Sequence, residues 1–212
     1  MNTDDLIKSL GSELTPLPRG YLTRQIATGL LAGLVGTSVL FFAFWGVRSD
    51  LVGIFGDLAL FAKTVLPLVL ACLALFWLHA TARPAGRSGA ARLIWSIPLA
   101  LILLVAMTLV TTPGDAWPMA LRGKSIVTCL ISIPVLSVPV LIGLLAALRR
   151  GAPEHPALCG AVAGLGAGAT AAAVYSVYCI ENSPLFYASW YSLAVLAVAG
   201  CGGILGYFFL RW

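Results

Sequence analysis

Six stretches of the chain, at about 25–47, 58–80, 93–112, 125–148, 156–178 and 187–210, are free or nearly free of charge. Each matches the about 20 apolar residues that a helix needs to cross the roughly 30 Å hydrocarbon core of a bilayer. Outer-membrane strands read as short alternating segments, whereas these runs are long and continuous. The sequence therefore predicts an all-α, polytopic membrane protein with six transmembrane helices in an antiparallel bundle. Composition supports the same class: 60% of the 212 residues are apolar and 10% are charged, against about 25% charged in soluble domains. A mean hydropathy of +0.98 excludes a soluble enzyme or a free DNA-binding domain. Lys63 interrupts the second window one turn from its end, where snorkelling to the headgroups is expected.

Basic residues set the expected orientation. Lys8, Arg19, Arg24, Arg83, Arg87, Arg92, Arg149, Arg150 and Arg211 fall on one side of a six-span chain, and Arg48, Lys63, Arg122 and Lys124 on the other. The excess belongs in the cytoplasm, which predicts cytoplasmic N and C termini. Tyr21, Trp45, Trp77, Trp95, Trp117 and Trp190 sit near window ends, as an aromatic belt requires. The short connections predict helices that neighbour one another in sequence order. Gly160, Gly164, Gly166 and Gly168 in the fifth window face the prospect of close packing against Gly200, Gly202, Gly203 and Gly206 in the sixth. A substrate path along these small residues is the lesser alternative. Pro67, Pro98, Pro134 and Pro139 are expected to bend their helices.

The organisation divides into a cytoplasmic segment, 1–24, and a six-helix domain, 25–212. Asp4, Asp5 and Glu13 precede any apolar run, so the opening does not read as a signal peptide and is expected to be retained. Residues 3–15 have the pattern of a short amphipathic helix. Thr3 suits its cap, and Asp4 and Asp5 suit the first turn, where the helix dipole favours anions. Leu6, Ile7, Leu10 and Leu14 form one apolar face, and Pro16 ends it. A helix this short is marginal in water and needs a partner. Anionic lipid suits its acidic face poorly, which leaves the protein's own loops or a groove on a cytosolic protein with a basic rim.

Catalytic motifs are missing: there is no HExxH, no Gly-x-Ser-x-Gly and no P-loop. His79 and His155 fall at a helix end and in a loop, no cofactor is implied, and the chain does not read as an enzyme. Helix middles free of charge argue against ion-coupled transport, although a small multipass transporter or channel stays as the alternative class. Of the five cysteines, Cys129 and Cys179 stand out. Measured from the turn between the fourth and fifth windows they lie about 20 and about 23 residues away, so at about 1.5 Å per residue they rise to similar heights. Single membrane cysteines are usually packing residues. Two at one depth beside an oxidising compartment suit a redox-responsive or metal-responsive pair. Glu181 is available as an oxygen ligand or as a solvated loop carboxylate, and the metal, if any, is unknown.

Several segments carry a family resemblance. Asn2-Thr3-Asp4-Asp5-Leu6-Ile7, Leu148-Arg149-Arg150-Gly151-Ala152-Pro153, Cys179 with Glu181-Asn182-Ser183-Pro184, Trp190-Tyr191 and Leu210-Arg211-Trp212 resemble the NrsF-like family of bacterial membrane proteins. The resemblance implies a six-helix inner-membrane anti-sigma factor that regulates transcription negatively. Such a protein holds an extracytoplasmic-function sigma factor at the lipid bilayer through its N-terminal segment, and makes no direct contact with nucleic acid. It implies sigma binding by Asp4, Asp5, Leu6, Ile7, Leu10 and Leu14, and sensing of metal or oxidative stress by Cys129 and Cys179. Many members carry His before the second cysteine and Asp after the Glu. Tyr178 and Asn182 stand there in this chain, which favours thiol chemistry over a histidine-containing metal site.

Overall fold

The computed structural model describes residues 3–4, 18, 20–47, 58–83 and 89–211. Six helices in it are long and apolar enough to cross a membrane. The first is Tyr21–Phe44, the second Leu58–Thr81, the fifth Pro156–Ser176 and the sixth Pro184–Phe209. The third comprises Ala90–Leu93 and Ser96–Thr111, joined at Ile94 and Trp95. The fourth is Ile126–Leu148, preceded by a single turn at Gly114–Ala116 and a short helix, Trp117–Arg122. No strand occurs among the described residues.

Local chemistry sets several of the ends. Pro156 and Pro184 open their helices, where the missing N–H has no partner to lose. Gly46 adopts φ +77°, which a side chain disfavours, and its N–H returns to the Phe41 carbonyl at 2.9 Å, closing the first helix.

Sequence neighbours meet at the second–third, fourth–fifth and fifth–sixth junctions, as short loops predict, but other seams join helices three apart in the chain. The first packs on the fourth, the second on the fifth and the third on the sixth. The fourth, fifth and sixth also contact one another and form a central trio, with the first and second helices laid antiparallel on the fourth and fifth. Loop length fixes which ends lie close together, but not which faces meet, and among apolar helices in lipid the best-fitting surfaces decide.

Glycine supplies two of these fits. A Cβ built on Gly164 would stand 2.5 Å from the Val198 carbonyl oxygen, and one on Gly206 would stand 2.6 Å from the Gly160 Cα. The fifth and sixth helices therefore meet backbone to backbone, as the sequence predicts, with no room for a path between them. Gly166 turns instead toward Ala74 and Leu75 of the second helix, and Gly200 faces open space. The second fit lies between the first and fourth helices. A Cβ on Gly29 would fall on the Gly143 carbonyl, and one on Gly33 would stand 2.5 Å from the Val140 Cα.

The core follows from this trio. Leu78, Val140, Leu144, Leu148, Cys159, Ala163 and Ala167 fill one half of the bundle, and Phe41, Cys129, Ile133, Tyr175, Phe186 and Tyr191 fill the other. On the outside, Leu31, Val35, Val39 and Phe42 make an exposed apolar stripe along the first helix, and Val110 of the third is 88% exposed. Such a surface suits hydrocarbon and would be a liability in water.

The two ends of the bundle differ. At one, Thr23 Oγ1 lies 2.8 Å from His79 Nε2, and Arg83 Nη2 donates to that same nitrogen at 3.0 Å. Arg150 donates to Gln25 Oε1, and Arg149 lies beside Leu210 and Arg211. At the other end stand Trp45, Lys63, Lys124, Cys179 and Glu181.

Candidate functional site

Cys129 occupies the first turn of the fourth helix, and Cys179 follows the last turn of the fifth. Neither is in a disulfide, and at 0% and 2% exposed both lie within one apolar cluster. The matched heights expected from the sequence thus become a shared site. Phe41 of the first helix, Tyr175 of the fifth, and Phe186, Tyr187 and Tyr191 of the sixth enclose it. The remaining cysteines are elsewhere: Cys72 and Cys201 are exposed, and Cys159 is buried in the opposite half.

The segment carrying Cys179 is tied down from three sides. Its own N–H bonds the Tyr175 carbonyl at 3.0 Å. From the second helix, Lys63 Nζ donates to the carbonyl oxygens of Cys179 and Glu181, each at 2.6 Å. From the third–fourth connection, the Lys124 N–H donates to Glu181 Oε1 at 2.7 Å. One expectation is corrected here. Lys63 does not snorkel: it is 2% exposed, because loop carbonyls just beyond the fifth helix give its amino group partners within the protein. Glu181 is a partly exposed loop residue, and one of its carboxylate oxygens accepts from the Lys124 backbone. Gly123 makes that approach possible, for a Cβ there would stand 2.9 Å from the Glu181 carboxyl carbon and 2.7 Å from the Phe186 ring.

Aromatic and hydroxyl groups complete the surroundings. Trp45 Nε1 donates to Ser132 Oγ at 2.9 Å, one turn below Cys129, and Thr64 Oγ1 lies 2.9 Å from Ser176 Oγ. Trp190 Nε1 donates to the Leu121 carbonyl at 2.8 Å. A cavity of about 370 Å³ lined by Trp45, Ser125, Thr128, Tyr175, Tyr178 and Cys179 leads to the second thiol. Among the described residues no three His, Cys, Asp or Glu side chains converge to hold a metal ion. The site brings two sulfur atoms into one apolar enclosure, where burial slows their reaction with water-borne reagents.

Sequence reading did not single out Trp45, Ser132 and Tyr175, because aromatic and hydroxyl residues near window ends look like belt and packing residues. Lys63 did give a signal, as a lone charge in an apolar window. Of the N-terminal candidates, Asp4 is helical and exposed. Asp5, Leu6, Ile7, Leu10 and Leu14 lie outside the described residues.

Six membrane-length helices around a buried thiol pair define a small multipass membrane protein. Comparison with known proteins gives the rest. Residues 10–212 match the family model NrsF, described as negative regulator of sigma F. The chain is 32% identical over 214 residues to the probable anti-sigma-F factor NrsF of Azospira oryzae, and 32% identical over 217 residues to the anti-sigma-F factor NrsF of Caulobacter vibrioides. Both alignments cover 100% of this chain and of the relative. The chain belongs to the NrsF family, whose members so described are regulators rather than enzymes. No solved structure matches it.

Proposed function

We propose that this protein is a membrane-bound anti-sigma factor of the bacterial inner membrane that sequesters an extracytoplasmic-function sigma factor through its N-terminal segment and releases it when Cys129 and Cys179 are modified by a metal or an oxidant. The observation that carries the reading is the burial of both cysteines in one cluster, in a chain whose relatives over their full length are named anti-sigma factors. The end of the bundle bearing Arg83, Arg149, Arg150 and Arg211 faces the cytoplasm, and both termini lie there.

Leu6, Ile7, Leu10 and Leu14 insert into an apolar groove on the sigma factor. Asp4 and Asp5 meet basic residues at its rim and set register and on-rate more than affinity. Moving the sigma factor from 99% held to 99% free takes about 5.5 kcal/mol of differential stabilisation. A disulfide typically contributes about 2–4 kcal/mol, so oxidation alone gives partial release, and soft-metal ligation by both sulfurs adds to it.

The test is co-purification in detergent with the sigma factor encoded beside this protein, using the full chain and a deletion of residues 2–15. Capture by the full chain and loss in the deletion are expected. Equal capture by both removes the N-terminal segment from the mechanism, and capture by neither ends the reading for that partner.

A further inference from the structure

The thiols sit on the fourth and fifth helices, whereas the segment assigned to sigma binding continues into the first. We infer that the seam between the first and fourth helices is the mechanical link between the two, a step that rests on the function proposed above.

The seam is tied at four levels. Beside the thiols, Phe41 enters the same cluster as Cys129 and Cys179, and Trp45 Nε1 donates to Ser132 Oγ at 2.9 Å. Ser132 lies three residues from Cys129, on the same face of the fourth helix. One step lower, Thr37 Oγ1 donates to the Leu136 carbonyl at 2.9 Å, and Thr37 is fully buried. In the middle, Gly33 and Gly36 lie on Val140 and Pro139, and Gly29 lies on Gly143. At the basic end Arg150 holds Gln25, four residues after the first helix begins. From Trp45 to Gln25 the contact runs about 30 Å, the thickness of the hydrocarbon core.

Two properties make this seam a transmitter rather than passive packing. Glycine contacts leave no side chains between the backbones to absorb a displacement, so a shift of one helix moves the other. The upper part of the fourth helix is also its most deformable part. Pro134 and Pro139 have no N–H, so the carbonyls of Leu130 and Val135 lose their intrahelical donors. Modification at Cys129 acts above both prolines. The stretch from Ile126 to Pro139 tilts, pulls the first helix through Trp45 and Thr37, and moves the residues that precede Tyr21.

The experiment uses the full-length protein holding its sigma factor in detergent, with diamide as the oxidant. Trp45→Phe combined with Ser132→Ala removes the hydrogen bond nearest the thiols from both sides. The variant is expected to capture sigma as the wild type does and to show the same oxidation of Cys129 and Cys179 by mass spectrometry. It releases less sigma for that oxidation, by about threefold or more. Should that variant fail to fold, Thr37→Val with Ser132→Ala cuts the seam with smaller changes and carries the same expectation. Wild-type release by a folded seam variant with fully oxidised thiols overturns the inference alone. Capture without release by the oxidised wild type overturns the sensing reading and the inference with it.

Discussion

Two glycines on the sixth helix, only two residues apart, are expected to respond oppositely to the same substitution. A Cβ on Gly202 would stand 2.5 Å from the Gly160 carbonyl oxygen and 2.8 Å from the Gly164 Cα, where ordinary contact is 3.4–4 Å. Those neighbours are backbone atoms, so relief requires the fifth and sixth helices to part by roughly 1 Å, an overpacking cost of about 1–3 kcal/mol. Gly200 has nothing within 4 Å of its Cβ position. Each change to alanine gains about 1 kcal/mol of helix propensity, and comparing the two on one helix cancels that gain. Gly202→Ala should therefore unfold before Gly200→Ala, by roughly 2–12 °C in thermal midpoint for a chain of this size. The assay is thermal unfolding in detergent, followed by the loss of monodisperse protein. Equal midpoints for the two variants would refute the backbone-to-backbone seam.

Further expectations concern the thiol end. Lys63→Met removes two charge-assisted hydrogen bonds while no longer burying an amino group. A local loss on the order of 2 kcal/mol should result, read as faster alkylation of Cys179 and faster hydrogen exchange at 177–183. Unfolding in sodium dodecyl sulfate should sharply raise N-ethylmaleimide labelling of Cys129 and Cys179 over that in mild detergent; equal rates in the two would contradict the burial of the pair. Cys129→Ser with Cys179→Ser should still capture the sigma factor and should lose oxidant-triggered release. Persistence of that release would move sensing to another group.

The six spans are legible in the sequence because bilayer thickness imposes one length on every crossing, whatever the helix later packs against. The thiol pair is legible for a related reason, since helical rise converts residue counts into heights. Helix partners are not legible in the same way. In lipid, apolar side chains on all faces cost alike, so the stripe that marks a buried face in water is missing. What signal there is lies in small residues. Gly29 and Gly33, four apart, carried the same spacing as Gly160 and Gly164 and mark the contact with the fourth helix. The setting of Lys63 is not legible, because local sequence offers it only the headgroups as polar partners. The carbonyls at the end of the fifth helix, 116 and 118 residues away along the chain, are nearer in space and invisible to local reasoning.

The pairing of first with fourth, second with fifth and third with sixth bears on how the protein is made. Synthesis proceeds from the N-terminus, and when the third helix leaves the ribosome none of the first three has met its partner. Each must enter the bilayer as a separate crossing, with Lys63 lacking the Cys179 and Glu181 carbonyls and Gly29 lacking its seat on Gly143. Assembly starts only once the central trio arrives. A nascent chain arrested after residue 111 thus has the second–third contact but none of the seams with the later helices, a target for membrane quality control, whereas a chain that has passed the sixth helix closes all three pairs around one core.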